Sequence, residues 1–220
     1  KVDWESQTVR MSLIGGRQTI RFDVPAYSAK YAGYPTDTAD LLFRNGVWWL
    51  HVVVSVPAPE IEPTAQVIGV DLGIVRPAVL STNRFLGKRA WKAIEGRLFH
   101  LKRALQTKGT KSAKRHLKRV RGKQARFRRN NDHVLSKQIV GAAERGATIV
   151  LENLTDIRKR SKVKRKTETS RRIHSWSFAQ LKSFIEYKAE ERCCMVVAFD
   201  PRHTSKACSS CGHTARNNRR

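Results

Sequence analysis

Two acids in this chain end apolar runs in the same way. Asp71 closes Val67-Ile68-Gly69-Val70, and Glu152 closes Thr148-Ile149-Val150-Leu151. Runs of that length and composition read as buried strands. A carboxylate at a strand end is held by rigid neighbours, and two of them on adjacent strands would face one cleft. Hard oxygen ligands in such a place suit Mg²⁺ and metal-ion hydrolysis of a phosphodiester, in which metals activate water and stabilise the leaving oxygen. The competing reading makes each acid a helix cap or a loop residue paired with one of many basic groups.

A second constellation is Cys208-Ser209-Ser210-Cys211-Gly212. Two thiolates at that spacing bite one metal, but structural Zn²⁺ wants four ligands. Cys208 and Cys211 therefore make half a site, with His203 and His213 as further donors; the alternative is two free thiols in a tail. Cys193 and Cys194 are adjacent and precede an apolar strand, which suits packing. Four cysteines are too few for a disulfide framework, so a reducing, cytoplasmic setting is expected.

Charge supplies the third signal. The 220 residues hold 44 Lys+Arg against 18 Asp+Glu, a formal net charge of +26. A chain this basic suits a polyanion, and nucleic acid leads. An anionic membrane would need an amphipathic anchor or lipidation motif, and no run of about 18 apolar residues is present. Between Arg84 and Arg129 the only acid is Glu95. Arg103, Lys111, Lys114, Arg115, Lys118, Arg119, Arg121, Lys123, Arg126, Arg128 and Arg129 are read as phosphate-binding residues. A face serving only solubility would mix signs.

The elements that position these groups follow from periodicity. Residues 1–60 read as an antiparallel β-barrel segment or an open antiparallel sheet. Gly15-Gly16 separates Val9–Ile14 from Gln18–Val24, and Asn45-Gly46 separates Leu41–Phe43 from Val47–Val56. One of Trp48 and Trp49 is expected in the core, and the other either stacks a base or belongs to an ordinary β surface. The Pro-rich stretch 57–63 reads as a linker. Residues 64–202 then read as an α/β domain with a basic helical hairpin over 92–129. Ile94, Leu98, Leu101 and Leu105 form one helical stripe, Lys108-Gly109-Thr110 breaks it, and Ala113, Leu117 and Val120 resume it. Asp132 is read as the cap of a further helix, with Gly146 at its far end. Residues 157–172 read as a mobile basic loop, and Ser175 or Ser177 starts the next helix. The resulting order over 67–199 is β-β-β-α-β-α-β, the order of an RNase H-like fold.

Several stretches together resemble the transposon-encoded TnpB (OrfB) family, relatives of the type V CRISPR effectors. Ile68-Gly69-Val70-Asp71-Leu72-Gly73-Ile74 resembles the first RuvC motif, and Ile149-Val150-Leu151-Glu152-Asn153-Leu154 the second. His174–Leu181 resembles a stretch leading into a later helix. Asp200–Ser205, through Cys208 to His213, resembles the entry to an inserted zinc ribbon, here 203–220. The likeness runs in order from about residue 40 onward. It implies an RNase H-like (RuvC) nuclease domain and an RNA-guided DNA endonuclease. Its partners would be guide RNA and target DNA, and its metals Mg²⁺ and Zn²⁺. Asp71 and Glu152 would be the first and second catalytic acids. The family's third catalytic Asp follows the ribbon, and no residue up to Arg220 takes that role by motif, so a chain shortened at both ends is expected. The alternatives are a nuclease-deficient RNA-guided DNA-binding regulator and a DNA transposase.

Overall fold

The computed structural model describes residues 1–57, 60, 62–155, 157, 167–200, 211 and 213–215. The chain divides into two compact units, Lys1–Pro59 and Glu60–Arg220.

In the first unit the turn chemistry sets the strands. β1 (Val2–Asp3), β2 (Thr8–Leu13) and β3 (Gly16–Arg21) form a three-stranded antiparallel sheet, with Gly15 and Gly16 both at positive φ. β4 (Thr36–Arg44) and β5 (Val47–Val54) form a separate two-stranded ribbon closed by Asn45-Gly46. Both turn residues there have positive φ, as a tight hairpin requires. The expected barrel is corrected: among the described residues the strands make two separate sheets and no closed barrel. The hairpin signals are local, whereas closure depends on long-range pairing that they do not encode. Trp48 and Trp49 are also corrected, since they are 63% and 43% exposed and neither lies in a core.

In the second unit β6 (Val67–Asp71), β7 (Ala78–Leu80), β8 (Phe85–Leu86), β9 (Thr148–Glu152) and β10 (Met195–Phe199) form one mixed sheet. Its order is β10-β9-β6-β7-β8. β6, β9 and β10 run parallel, while β7 is antiparallel to both its neighbours. The helices α1 (Arg89–Lys108), α2 (Lys111–Ala142), α3 (Glu168–Ser175) and α4 (Phe178–Glu191) complete the unit. One face of the sheet meets helices. Ile68, Val70, Ile149 and Leu151 pack with Leu135 and Ile139 of α2 and Leu181 and Ile185 of α4.

Two helix boundaries differ from the sequence reading. α2 passes unbroken through Asp132, which lies inside the helix and is buried, and it ends at Ala142, short of Gly146. The stripe Ala113, Leu117, Val120, Gln124, Asp132, Leu135, Ser136, Ile139 continues with helical period, so tertiary packing absorbs the residue that favours a cap. The region read as a loop over 157–172 contains the start of α3; residues 158–166 lie outside the described residues. Thr167 caps α3, its hydroxyl accepting from the Ser170 N–H at 3.1 Å. Ser177 stands immediately before α4, as read.

Candidate functional site

Strand register brings the two acids together. β6 and β9 pair in parallel, Val67 with Thr148 and so on to Val70 with Leu151. Asp71 and Glu152 occupy the next position on each strand, so they sit side by side. Neighbouring strands lie about 4.8 Å apart, and residues in register point to the same face. That face is the one opposite the helices. It also carries Val67, Met195 and Val197, at 61%, 60% and 40% exposure, so among the described residues it lies open.

Local structure fixes both acids. After Asp71 the chain turns at once, with Leu72 buried and the Gly73 N–H donating to the Pro77 carbonyl. A Cβ on Gly73 would come within 2.8 Å of the Arg76 carbonyl oxygen, so glycine is what this turn accepts. After Glu152, the Asn153 N–H donates to Phe199 O at 2.8 Å, and Asn153 Oδ1 accepts from the Thr155 N–H at 3.1 Å. That side-chain turn ends the strand at the acid.

Electrostatics couple the pair. Partial burial raises the Glu152 pKa above the usual carboxylate range, and the negative charge of Asp71 raises it further. Two like charges forced together form a place where a cation is favoured. The residues thus fit a divalent cation held by two carboxylates, water completing its shell. Among the described residues no group of three or more His, Cys, Asp or Glu is placed to hold a metal. Cys208 lies outside the described residues, and Cys211 is an exposed free thiol. Of the cysteines read as packing residues, Cys194 is buried and donates to Glu144 O, whereas Cys193 is half-buried at φ 56°.

The stretch read as a basic hairpin over 92–129 lies in α1 and α2, which pack together, the second helix running on to Ala142. Gly109 ends α1 in the left-handed conformation, and the Thr110 hydroxyl caps α2 by accepting from Ala113 N–H at 3.2 Å. Arg103, Lys111, Lys114, Arg115, Lys118, Arg119, Arg121, Lys123, Arg126 and Arg129 are exposed. Arg128 departs from this set. Its Nε and Nη2 grip Glu95 Oε1 and Oε2 at 2.8 and 2.7 Å, a bidentate pair between the two helices. Gln124, buried, donates to Glu95 Oε2 at 2.6 Å and accepts from Lys102 Nζ at 2.6 Å. Sequence reasoning assigned Arg128 to phosphate and gave Glu95 no role. The signal was available: one acid among so many cations, a helix turn or two from the apolar stripe.

Asp132 was also missed. It accepts from Ser177 Oγ at 2.6 Å, joining α2 to the start of α4. Burial raises its pKa to about 6, against the lowering effects of Ser177 and Arg128.

Comparison with known proteins accords with this layout. A sequence-family model described as Cas12f1-like, TNB domain, matches residues 178–220. The CRISPR-associated endodeoxyribonuclease Cas12f1 of Sulfoacidibacillus thermotolerans is 26% identical over 197 residues, covering 80% of this chain and 44% of that protein. The TnpB-like protein MJ0751 of Methanocaldococcus jannaschii is 38% identical over 81 residues, 36% of this chain and 29% of the relative. The chain thus spans less than half the length of these relatives. A solved complex of Cas12f1 with sgRNA and target DNA shares the fold at TM-score 0.58 and 21% identity, over 77% of this chain and 36% of the other. No helix among the described residues is long and apolar enough to cross a membrane. By sequence over four-fifths of its length, and by fold, the chain is similar to Cas12f1 and TnpB-like proteins.

Proposed function

We propose that this chain is the nuclease-bearing part of an RNA-guided, Mg²⁺-dependent DNA endonuclease with an RNase H-like (RuvC) domain. One observation carries the reading: Asp71 and Glu152 stand side by side at the ends of two parallel central strands, on the sheet face away from the helices. The strand arrangement supports it, with a β-meander (β6, β7, β8) followed by two parallel strands on the other side of β6. Guide RNA and target DNA as partners are supported by the relatives, one named as an endodeoxyribonuclease and one solved with sgRNA and target DNA.

Asp71 and Glu152 would hold Mg²⁺ through their carboxylate oxygens. When bound, the metal supplies charge neutralisation at the scissile phosphate and a more acidic water. The protein's own contribution is placement. The Gly73 turn and the Asn153 turn keep both carboxylates at the C-terminal ends of their strands, and the hairpin cations attract and hold phosphates without reading bases. Sequence choice would fall to base pairing with the guide. Cys208 and Cys211 are proposed as two ligands of a structural Zn²⁺.

The test is cleavage of labelled target DNA by the purified chain with matched guide RNA, in Mg²⁺ and in EDTA, beside Asp71→Ala and Glu152→Ala. Guide-dependent cleavage abolished by EDTA and by each substitution is expected; cleavage that survives either substitution refutes the assignment. A second reading is guide-directed binding without cleavage, which the exposed cations of the hairpin would serve on their own. Retained binding with no cleavage in any arm would establish it.

A further inference from the structure

A second feature of the Glu60–Arg220 unit lies apart from the carboxylate pair. A cleft of about 450 Å³ opens between the Gly73–Pro77 turn, α1, α2, α3 and the start of α4. It borders the helical side of the sheet, whereas Asp71 and Glu152 project from the other face. Six cations line it: Arg76, Lys88, Lys92, Arg128, Arg171 and Arg172. The acids lining it are Glu95, Asp132 and Glu168. Glu95 is spent on Arg128, and Glu168 on Arg172 and Arg171. These pairs orient guanidinium groups rather than cancel them, because each guanidinium has five donors and uses only some here. Arg171 also sits over the Phe99 ring, its Cζ 3.9 Å from the centroid. Lys88 and Lys92 are exposed and carry no ion pair or side-chain hydrogen bond among the described residues. The apolar part of the wall includes Trp91 and Trp176, both half-buried against the core.

Fixed guanidiniums, two free ammonium groups and two indoles suit a ligand with a phosphate and an aromatic base. The volume lies in the range of small-ligand sites, roughly 300–1,000 Å³, and admits one or two nucleotide units but not a duplex. The turn that forms one wall begins two residues after Asp71. We propose that this cleft binds one or two nucleotides of a single strand of nucleic acid, its phosphate between Lys88, Lys92 and Arg172 and its base against Trp91 or Trp176. This rests on the nucleic-acid reading above and adds to it a strand-anchoring site off the carboxylate face.

The experiment uses the full chain and a labelled oligothymidylate carrying 5-iodouracil, with cross-links mapped by mass spectrometry. Cross-links are expected at Trp91 or Trp176. They should fall at least tenfold in Lys88→Glu/Lys92→Glu and persist in Arg17→Glu/Arg21→Glu, which makes the same change of charge on exposed residues of β3. The slope of log affinity against log salt should also fall by about 0.7 in the cleft variant, the share of the one phosphate these lysines hold. Cross-links absent from both tryptophans, or unchanged in the cleft variant, would overturn the proposal. Displacement by dTMP at equal nucleotide concentration would also overturn it, because the site would then be one for a free nucleotide. If the unaltered chain binds no oligonucleotide at all, the nucleic-acid reading itself fails; binding with an empty cleft defeats only this inference.

Discussion

Asp132→Asn should make the protein more stable, and only above mildly acidic pH. Asp132 is 9% exposed, and burial lifts its pKa from 3.8 to about 6. The folded state therefore holds a proton that the unfolded state releases, so stability falls as pH rises between these values. Below pH 3.8 both states are protonated and the cost vanishes; above about 6 it is complete. A rise of about 2 corresponds to roughly 3 kcal/mol. Asparagine keeps the carbonyl that accepts from Ser177 Oγ and removes the charge. At pH 8 the variant should gain up to roughly 3 kcal/mol, or on the order of 10 °C in Tm for a domain of this size. At pH 4 the gain should shrink below about 1 kcal/mol. Urea denaturation of parent and variant at both pH values measures it, and the difference between the proteins isolates this residue from the other carboxylates. A gain that does not depend on pH, or a variant less stable than the parent at pH 8, would refute the reasoning, and the second result would show that ionised Asp132 is compensated by groups around it.

Three further outcomes are expected. Glu95→Gln loses the bidentate grip on Arg128 and should cost about 2 kcal/mol, the worth of charge-assisted hydrogen bonds, seen as an earlier urea midpoint by circular dichroism. Asp71→Asn removes the like charge beside Glu152, so the Glu152 pKa should fall in a carboxylate NMR titration; no change would mean that burial alone raises it. Replacing Lys114, Lys118 and Arg121 with alanine should lower the salt slope of single-strand binding by about 2, at roughly 0.7 for each phosphate left without its cation, and an unchanged slope would mean these side chains stay in water.

The strands that carry the acids were legible because a short apolar run with a terminal carboxylate is both a strand signal and a chemical one. Their order was legible too, since β6–β10 lie where apolar runs separate helical stripes. The shared face of Asp71 and Glu152 was not, because register is a long-range property; it emerged from Val70 pairing with Leu151. Two misreadings and one missed partner have one cause. Asp132 was read as a cap and residues 168–172 as loop, and the pairing of Arg128 with Glu95 went unseen, because each is charged or sits among charges. A sequence states the sign of a group and not its partner. Helical period would have corrected the first, since Asp132 continues the buried stripe through Gln124. It would also have found α3, where Thr167 caps, Glu168 opens the first turn and Ile173 is buried.

The continuity of α2 ties the unit together. A helix of 32 residues is about 48 Å long, too long to be seated wholly on a five-stranded sheet of short strands. Its second half is seated: Leu135, Ile139 and Val140 belong to the core shared with β6, β9 and α4. Ala113, Leu117 and Val120, in the first half, are buried outside that core, where α1 packs on α2. The cations lie on the first half, and the Glu95–Arg128 and Asp132–Ser177 contacts lie where the halves meet. A break at Asp132, as the sequence suggested, would leave the hairpin free to swing on the sheet. An unbroken helix instead fixes the cationic segment to the strands that hold Asp71 and Glu152. That rigidity is what a site needs if phosphates bound along α2 are to set where a strand meets the carboxylates, and the polar contacts at the junction hold it at the point where bending would do most harm.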